Sequence, residues 1–540
     1  MNGRFREPGL FLRAVRCGRM RRAGLALITL FVAALAAAPA RAAVPACDTP
    51  GFVSTWGASP SDSVAPPLEN QTVRMIVAPH LAGTVLRIHV SNRFGDQSIT
   101  IGPVTIGETA TGAAVKPGTL RSVTFNGHGA AVTIPAGAEL TSDSVRMPVR
   151  PFTDMTVSVD VPGTVRAPTE HYTTRQTNYL SSPGEHASEE DGASFRSTTD
   201  TSAKGWYFLT GIDVAASAKV GAVAAFGDSI TDGFQGMLSP VNEDLTYIDQ
   251  NLRYPDYLAR RLIAAGWPLS VLNAGISGNR VLENGQIPQF GPPGVERVKK
   301  DVIGQPGVAD AIVLEGINDI GQTSGITADA LEKGLAKVVG ELHAAKLRVL
   351  LGTLTPAGGT AVPAYGGAAG NALRVEVNRW IRSQRVADAV VDFDAAVRDP
   401  SDPSRLAPQY DGGDHLHLSP AGYERMAKAV PLAQLHAPRC ATPRKHSPRK
   451  RIRLTVNPRV MYASNATVLG FHVSRRVGSR NIPVARALVR FRGRHRRTGR
   501  DGLAIMHVRV PRPGVYTARA SWRTARSTVR VRVKPAPRGG

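Results

Sequence analysis

The chain has 540 residues, with 66 Lys and Arg, 42 Asp and Glu and a formal charge of +24. That length exceeds one typical domain, so two or three are expected. The charge does not describe the chain evenly: residues 441–540 hold 26 bases and a single acid, Asp501, whereas residues 1–440 hold 40 bases and 41 acids. A basic main body is thereby excluded, and the basicity belongs to the tail.

In chain order, Arg13, Arg16, Arg19, Arg21 and Arg22 precede an apolar run from Ala23 to Ala38, and Ala40-Arg41-Ala42 follows. A basic start, a short apolar core and small residues at the cleavage positions predict a secretory signal peptide over 1–42, and so a secreted or surface-associated protein. The run is shorter than the ~20 residues of a membrane span, and no later segment approaches that length, so no span remains after cleavage. An uncleaved anchor is the competing reading, and Arg21-Arg22 leaves the export route, Sec or twin-arginine, open. Cys17 leaves with the signal. Cys47 and Cys440 then bracket everything up to the basic tail, and an oxidising compartment favours a disulfide between them over two free thiols.

Residues 43–182 carry short alternating stretches such as Thr84–Val90, Ala131–Ile134 and Met155–Val161, which predict an antiparallel β-sandwich. Residues 183–218, polar and acidic at Glu189, Glu190 and Asp191, read as a linker. From residue 219 to 440 the texture changes. Continuous apolar runs at Val220–Phe226, Ser270–Asn273, Ala311–Leu314, Val349–Leu354 and Ala389–Phe393 alternate with helical patterns at Pro255–Ala265, Val295–Ile303, Ala328–Ala345, Ala372–Gln384 and Pro420–Leu432. Such alternation predicts a doubly wound parallel α/β domain. Residues 441–450 form a basic linker. The strand patterns Ala487–Arg492, Leu503–Val510, Gly514–Ala520 and Ser527–Val533 predict a small basic Ig-like sandwich over 451–540.

Open parallel sheets place their sites beyond the carboxyl ends of the strands, and three polar segments stand there. Gly227-Asp228-Ser229-Ile230-Thr231 puts a serine at a strand-to-helix turn. It is not the G-x-S-x-G elbow, and Asp228 or Ser229 could equally be a helix N-cap. Ala274-Gly275-Ile276-Ser277-Gly278-Asn279 supplies glycines through which a backbone N–H can approach a ligand, or simply a turn. Glu315-Gly316-Ile317-Asn318-Asp319 supplies a neutral amide donor in Asn318; Glu315 and Asp319 as metal ligands lack a nearby His. A fourth segment, Asp411-Gly412-Gly413-Asp414-His415-Leu416-His417, offers a general base and a carboxylate to orient it, with Asp414 and His417 three apart. A two-His metal site with Asp411, or a polar loop capping the helix after Pro420, are the competing readings.

These four segments, in this order, resemble the SGNH hydrolases, also called the GDSL esterase/lipase family, over about Val220 to Ala437. Ile230 stands for the eponymous Leu. The resemblance implies a carboxylic ester hydrolase in which Ser229 is the nucleophile, His417 the base and Asp414 its orienter. It places the backbone N–H groups of Ser229 and Gly278 and the side-chain amide of Asn318 in the oxyanion hole, with Gly275 the alternative to Gly278. It also implies no metal or organic cofactor. Ser54-Thr55-Trp56-Gly57 and Ser91-Asn92-Arg93-Phe94-Gly95 look like the β-rich domain that precedes the catalytic domain in some secreted bacterial members, described as putative arylesterases or acylhydrolases.

Short acyl esters, such as acetyl groups on a glycan, are the expected substrates. A lipase or lysophospholipase of the same family, or a non-catalytic glycan- or wall-binding protein, are the alternatives. The loops Asn242–Asn251 and Leu282–Gly294 are expected to shape the pocket. The Arg-rich tail suits an anionic cell-wall polymer, and a spacer or adhesion-type Ig-like module of Arg-rich composition is the equal alternative. Nucleic acid is not an expected partner, because the arginines lie in strand patterns without interleaved aromatics.

Overall fold

The run Gly221–Gly227 is buried at every position, as a strand must be when both faces of its sheet are covered. In the computed structural model, which describes residues 51–127, 129–198, 205–217, 219–239, 242–436, 452–477, 480–523 and 525–536, this strand is β1 of a five-stranded parallel sheet. Its partners are β2 (Leu269–Gly275), β3 (Val308–Leu314), β4 (Arg348–Gly352) and β5 (Ala389–Val391), in the order β2-β1-β3-β4-β5. The signal peptide, the basic linker, and Cys47 and Cys440 with their expected disulfide lie outside the described residues.

The connecting helices are α1 (Ser229–Asp232), α2 (Tyr254–Ala264), α3 (Gly294–Val298), α4 (Ile317–Gln322), α5 (Ala328–Ala344), α6 (Pro363–Gly366), α7 (Ala368–Ser383), α8 (Phe393–Val397) and α9 (Pro420–Ala429). Five of them, α2, α3, α5, α7 and α9, fall on the expected helical patterns, although the pattern Val295–Ile303 is α-helical only as far as Val298 and continues as a π-turn; the short α4, α6 and α8 lie outside those patterns. Thr327 caps α5 and Ser419 caps α9 with their side-chain oxygens, each satisfying a backbone N–H that the helix itself leaves free. Leu331, Leu335, Val338, Val339 and Leu342 put the buried stripe of α5 into the same core as Val223, Val313 and Leu351 of the sheet. Among the described residues no helix is long and apolar enough to cross a membrane.

Register decides where chemistry can gather. Gly227 stands beside Gly275 on one side and Leu314 on the other, so β1, β2 and β3 end at one level. The order is also that of a sheet whose connections reverse direction at β1, which opens a crevice at its carboxyl end. The Ser229, Gly278 and Asn318 segments leave the sheet there.

Among the described residues, 51–217 form two large sheets and two two-stranded ones, over a shared core that includes Val73, Leu86, Ile88, Val157 and Ile212. One departure from expectation is that 183–218 is not a linker. Phe195–Ser197 pairs in one sheet, while Leu209–Ala216 is a central strand of the other, between Gly51–Gly57 and Gly83–Ser91. Its alternation is obscured by Asp213, which is buried and accepts from Ser54 Oγ (2.8 Å) and Arg87 Nε (2.7 Å) and faces His89 Nε2 at 2.7 Å. Gly51–Gly57 also runs along β2: Ser54 N–H donates to Pro306 O at 2.9 Å, and Val53 packs on Ala222 and Leu272. The segment after 451 folds into two further sheets around Leu469, Phe471, Val489 and Val531.

Candidate active site

Asp228, not Ser229, is the N-cap of α1. Its carboxylate accepts from the Ile230 N–H at 3.0 Å, which leaves the Ser229 hydroxyl free of a capping role. That hydroxyl lies 2.9 Å from His417 Nε2, and His417 Nδ1 lies 2.7 Å from Asp414 Oδ2. The other Asp414 oxygen accepts from the N–H groups of His417 (2.8 Å) and Leu416 (3.0 Å). Burial opposes the charge on Asp414. The facing His417 and these backbone donors outweigh it and hold the carboxyl well below the usual carboxylate range. Phe234 meets the His417 ring edge-on, 4.7 Å between centroids, and limits its tilt. His415 turns away at φ +65° and pairs with Asp411 at 2.5 Å. Among the described residues no group of three His, Cys, Asp or Glu side chains is placed to hold a metal.

The segments carrying the expected oxyanion donors leave the sheet at the same level as this serine. Gly275 N–H is engaged by Asn273 Oδ1 at 2.9 Å, so the second segment offers Gly278 instead. Gly278 adopts φ +78°, and a Cβ there would fall 2.2 Å from the Phe290 ring, so both backbone and space require glycine. Asn318 is 2% exposed. Its Oδ1 accepts from Tyr365 Oη (2.9 Å) and Gln322 Nε2 (3.0 Å), which fixes the amide so that Nδ2 points the other way. One Nδ2 hydrogen goes to Asn279 O at 3.0 Å, leaving the second for a ligand.

Several supporting residues carry no local motif. Arg297 on α3 is fully buried and stacks on Phe226 at 4.0 Å. It donates to Gly227 O (2.7 Å), Ala274 O (2.8 Å) and Asn279 Oδ1 (2.7 Å), and pairs with Glu315 (3.1 Å) and Asp301 (3.2 Å). Glu315 is thus the partner of a structural guanidinium, and its burial pushes its pKa well up. Asp319 accepts from the N–H groups of Val281 (2.8 Å) and Leu282 (3.1 Å), anchoring the loop after Gly278; burial raises its carboxyl to about 6. Asn279 holds the same loop by donating to Phe290 O and Pro292 O at 2.7 and 2.8 Å.

A Ser–His–Asp line of this geometry at the switch point of a parallel sheet is an arrangement suited to nucleophilic acyl transfer. Residues 225–425 match the GDSL-like Lipase/Acylhydrolase family, so this part of the chain belongs to that family and the protein is a carboxylic ester hydrolase of the SGNH/GDSL type. No curated protein matches the chain. Among solved structures it is similar to a carbohydrate acetylesterase from Sinorhizobium meliloti (18% identity, TM-score 0.32, covering 39% of this chain and 96% of that one). It is also similar to the aryl esterase of M. smegmatis in inhibitor-bound form (16%, 0.32, 40% and 100%). A third is the lipase/acylhydrolase of Enterococcus faecalis (21%, 0.28, 39% and 93%).

Proposed function

We propose that the chain hydrolyses short acyl esters through an acyl-enzyme on Ser229. The observation that carries this reading is the unbroken line from Ser229 Oγ through His417 to Asp414, at 2.9 and 2.7 Å. His417 Nε2 takes the Ser229 proton as Oγ attacks the carbonyl carbon, then gives it to the departing alcohol. The Ser229 and Gly278 N–H groups and the free Asn318 Nδ2 hydrogen stabilise the oxyanion. Water, deprotonated by His417, attacks the acyl-enzyme, and its collapse releases the acid and frees Ser229.

The alcohol side is proposed to be carbohydrate, with acetyl as the acyl group. The loop Leu282–Gly294, which packs over Gly278 through Phe290, exposes Glu283, Asn284 and Gln286. Those polar groups suit a hydroxylated partner better than a fatty chain; Ile287 is the exposed apolar residue among them. The test is hydrolysis of p-nitrophenyl acetate, then acetylated xylan against long-chain acyl esters. Activity on acetate esters that falls about 10³-fold or more in Ser229→Ala and in His417→Ala is expected. An inactive wild type, full activity in Ser229→Ala, or loss in His415→Ala instead of His417→Ala overturns the reading.

Export through the 1–42 signal is part of the proposal, checked by whether the secreted protein begins after Ala42. So is an Ig-like C-terminal module that holds an anionic wall polymer. Its support is a groove of about 650 Å³ lined by Arg490, Arg492, Arg494, His495, Arg519 and Arg526.

A further inference from the structure

Asp232, three residues after Ser229, is 2% exposed and belongs to neither the relay nor the oxyanion donors. Its Oδ2 accepts from both the N–H (3.1 Å) and the hydroxyl (2.7 Å) of Ser277. Gly278 follows directly, and the direction of its N–H is the direction of the Ser277–Gly278 peptide plane. Whatever fixes Asp232 therefore fixes one expected oxyanion donor.

Asp232 Oδ1 faces His171 Nε2 at 3.1 Å. His171 comes from the front β unit, on the short strand Glu170–His171 paired with Trp206–Tyr207. It is 3% exposed and lies against Trp206, with centroids 5.5 Å apart. Its Nδ1 faces Ser59 O at 2.7 Å, and Nε2 also faces Thr173 O at 3.1 Å. Both ring nitrogens thus meet only acceptors, and the form that satisfies both is the imidazolium, which donates from each. Burial opposes that charge, but Asp232 and the two carbonyls outweigh it and raise the His171 pKa.

We propose that His171 is a positioning residue of the active site, through which the front β unit holds Asp232, then Ser277, and so the Gly278 N–H in the oxyanion hole. The proposal rests on the hydrolase reading above. A displacement of about 1 Å in such a group costs up to ~10²-fold in rate, because the donor must meet the oxyanion and not the ground-state carbonyl. A second histidine of the same unit provides the control. His80 has Nδ1 2.7 Å from Val271 O and Nε2 3.3 Å from Asp256, so it also docks the front unit, but through β2 and α2 rather than through Asp232.

The experiment measures kcat and KM on p-nitrophenyl acetate for the full chain and for His171→Gln, Ser277→Ala, their double variant and His80→Gln. His171→Gln and Ser277→Ala are each expected to lower kcat about 10- to 100-fold with KM within about twofold. The double variant should be no slower than the slower single one, and His80→Gln should keep kcat. Unchanged kcat in a folded His171→Gln, multiplicative losses in the double variant, or an equal loss in His80→Gln overturns the proposal. If His171→Gln fails to fold, Asp232→Asn reads the same link, with lowered kcat supporting it and unchanged kcat overturning it. Failure of the hydrolase reading looks different, because the wild type itself is then inactive or Ser229→Ala is unaffected.

Discussion

The Asn318 amide owes its direction to contacts on its acceptor side. Without Tyr365 Oη, only Gln322 would remain on Oδ1. Tyr365→Phe removes that hydroxyl and little volume, so kcat is expected to fall about 3- to 10-fold with KM nearly unchanged, measured on an acetate ester. Glu170 raises a different question, one of stability. It is 1% exposed and carries no cationic partner among the described residues. Burial, with Asp62 beside it, pushes it up to about 9. A raised carboxyl adds full stability below its ordinary value near 4.5, and loses it as pH climbs towards 9. Glu170→Gln should therefore match wild type at pH 4.5 and be more stable at pH 8, by up to about 3 kcal/mol; urea unfolding at the two pH values checks this.

Three strand ends at one level make the site, and one buried guanidinium ties them. Arg297 holds the carbonyls that end β1 and β2 and the carboxylate of Glu315 just after β3. Arg297→Met would leave Glu315 and Asp301 buried with their central counter-charge gone, and Arg93 (2.6 Å) still on Asp301. A loss of about 3–5 kcal/mol is expected in urea unfolding, because an uncompensated buried charge costs far more than the pair contributes. At this scale the sequence was most legible where one element decides its own fate. The largely apolar runs of β1 to β5 could be read from residue types, whereas the serine, glycine and amide beyond three of them gained roles only from their order, through the family resemblance. Arg297, Asp232, His171 and Tyr365 could not be read in either way, since each acts on residues distant in the chain. The strand Leu209–Ala216 was hidden for the same reason: Asp213 looks like a solvent-facing break until Ser54, Arg87 and His89 are brought to it.

The whole molecule separates charge from chemistry. The 40 bases and 41 acids of residues 1–440 leave the catalytic part near neutral, whereas the last hundred residues concentrate 26 bases against Asp501. In the sheet formed by Val460–Tyr462, Leu488–Phe491, Arg494–Arg497, Gly514–Trp522 and Ala525–Lys534, period-two alternation sends Val489, Ala518, Ala520 and Val531 into the core. The same alternation turns Arg490, Arg519, Arg526 and Arg530 to the opposite face. Among the described residues none of these four arginines is in an ion pair. A guanidinium fork fits phosphate and carboxylate oxygens in pairs, so such a face attracts a polyanion with steep salt dependence. Removing residues 441–540 should leave kcat on a soluble acetate ester unchanged while abolishing retention on anionic wall material. Arg490→Ala with Arg519→Ala in the full chain should lower the salt concentration that elutes it. Retention that survives either change, or that is insensitive to salt, would place the binding elsewhere; equal retention on duplex DNA would show a face that reads charge alone.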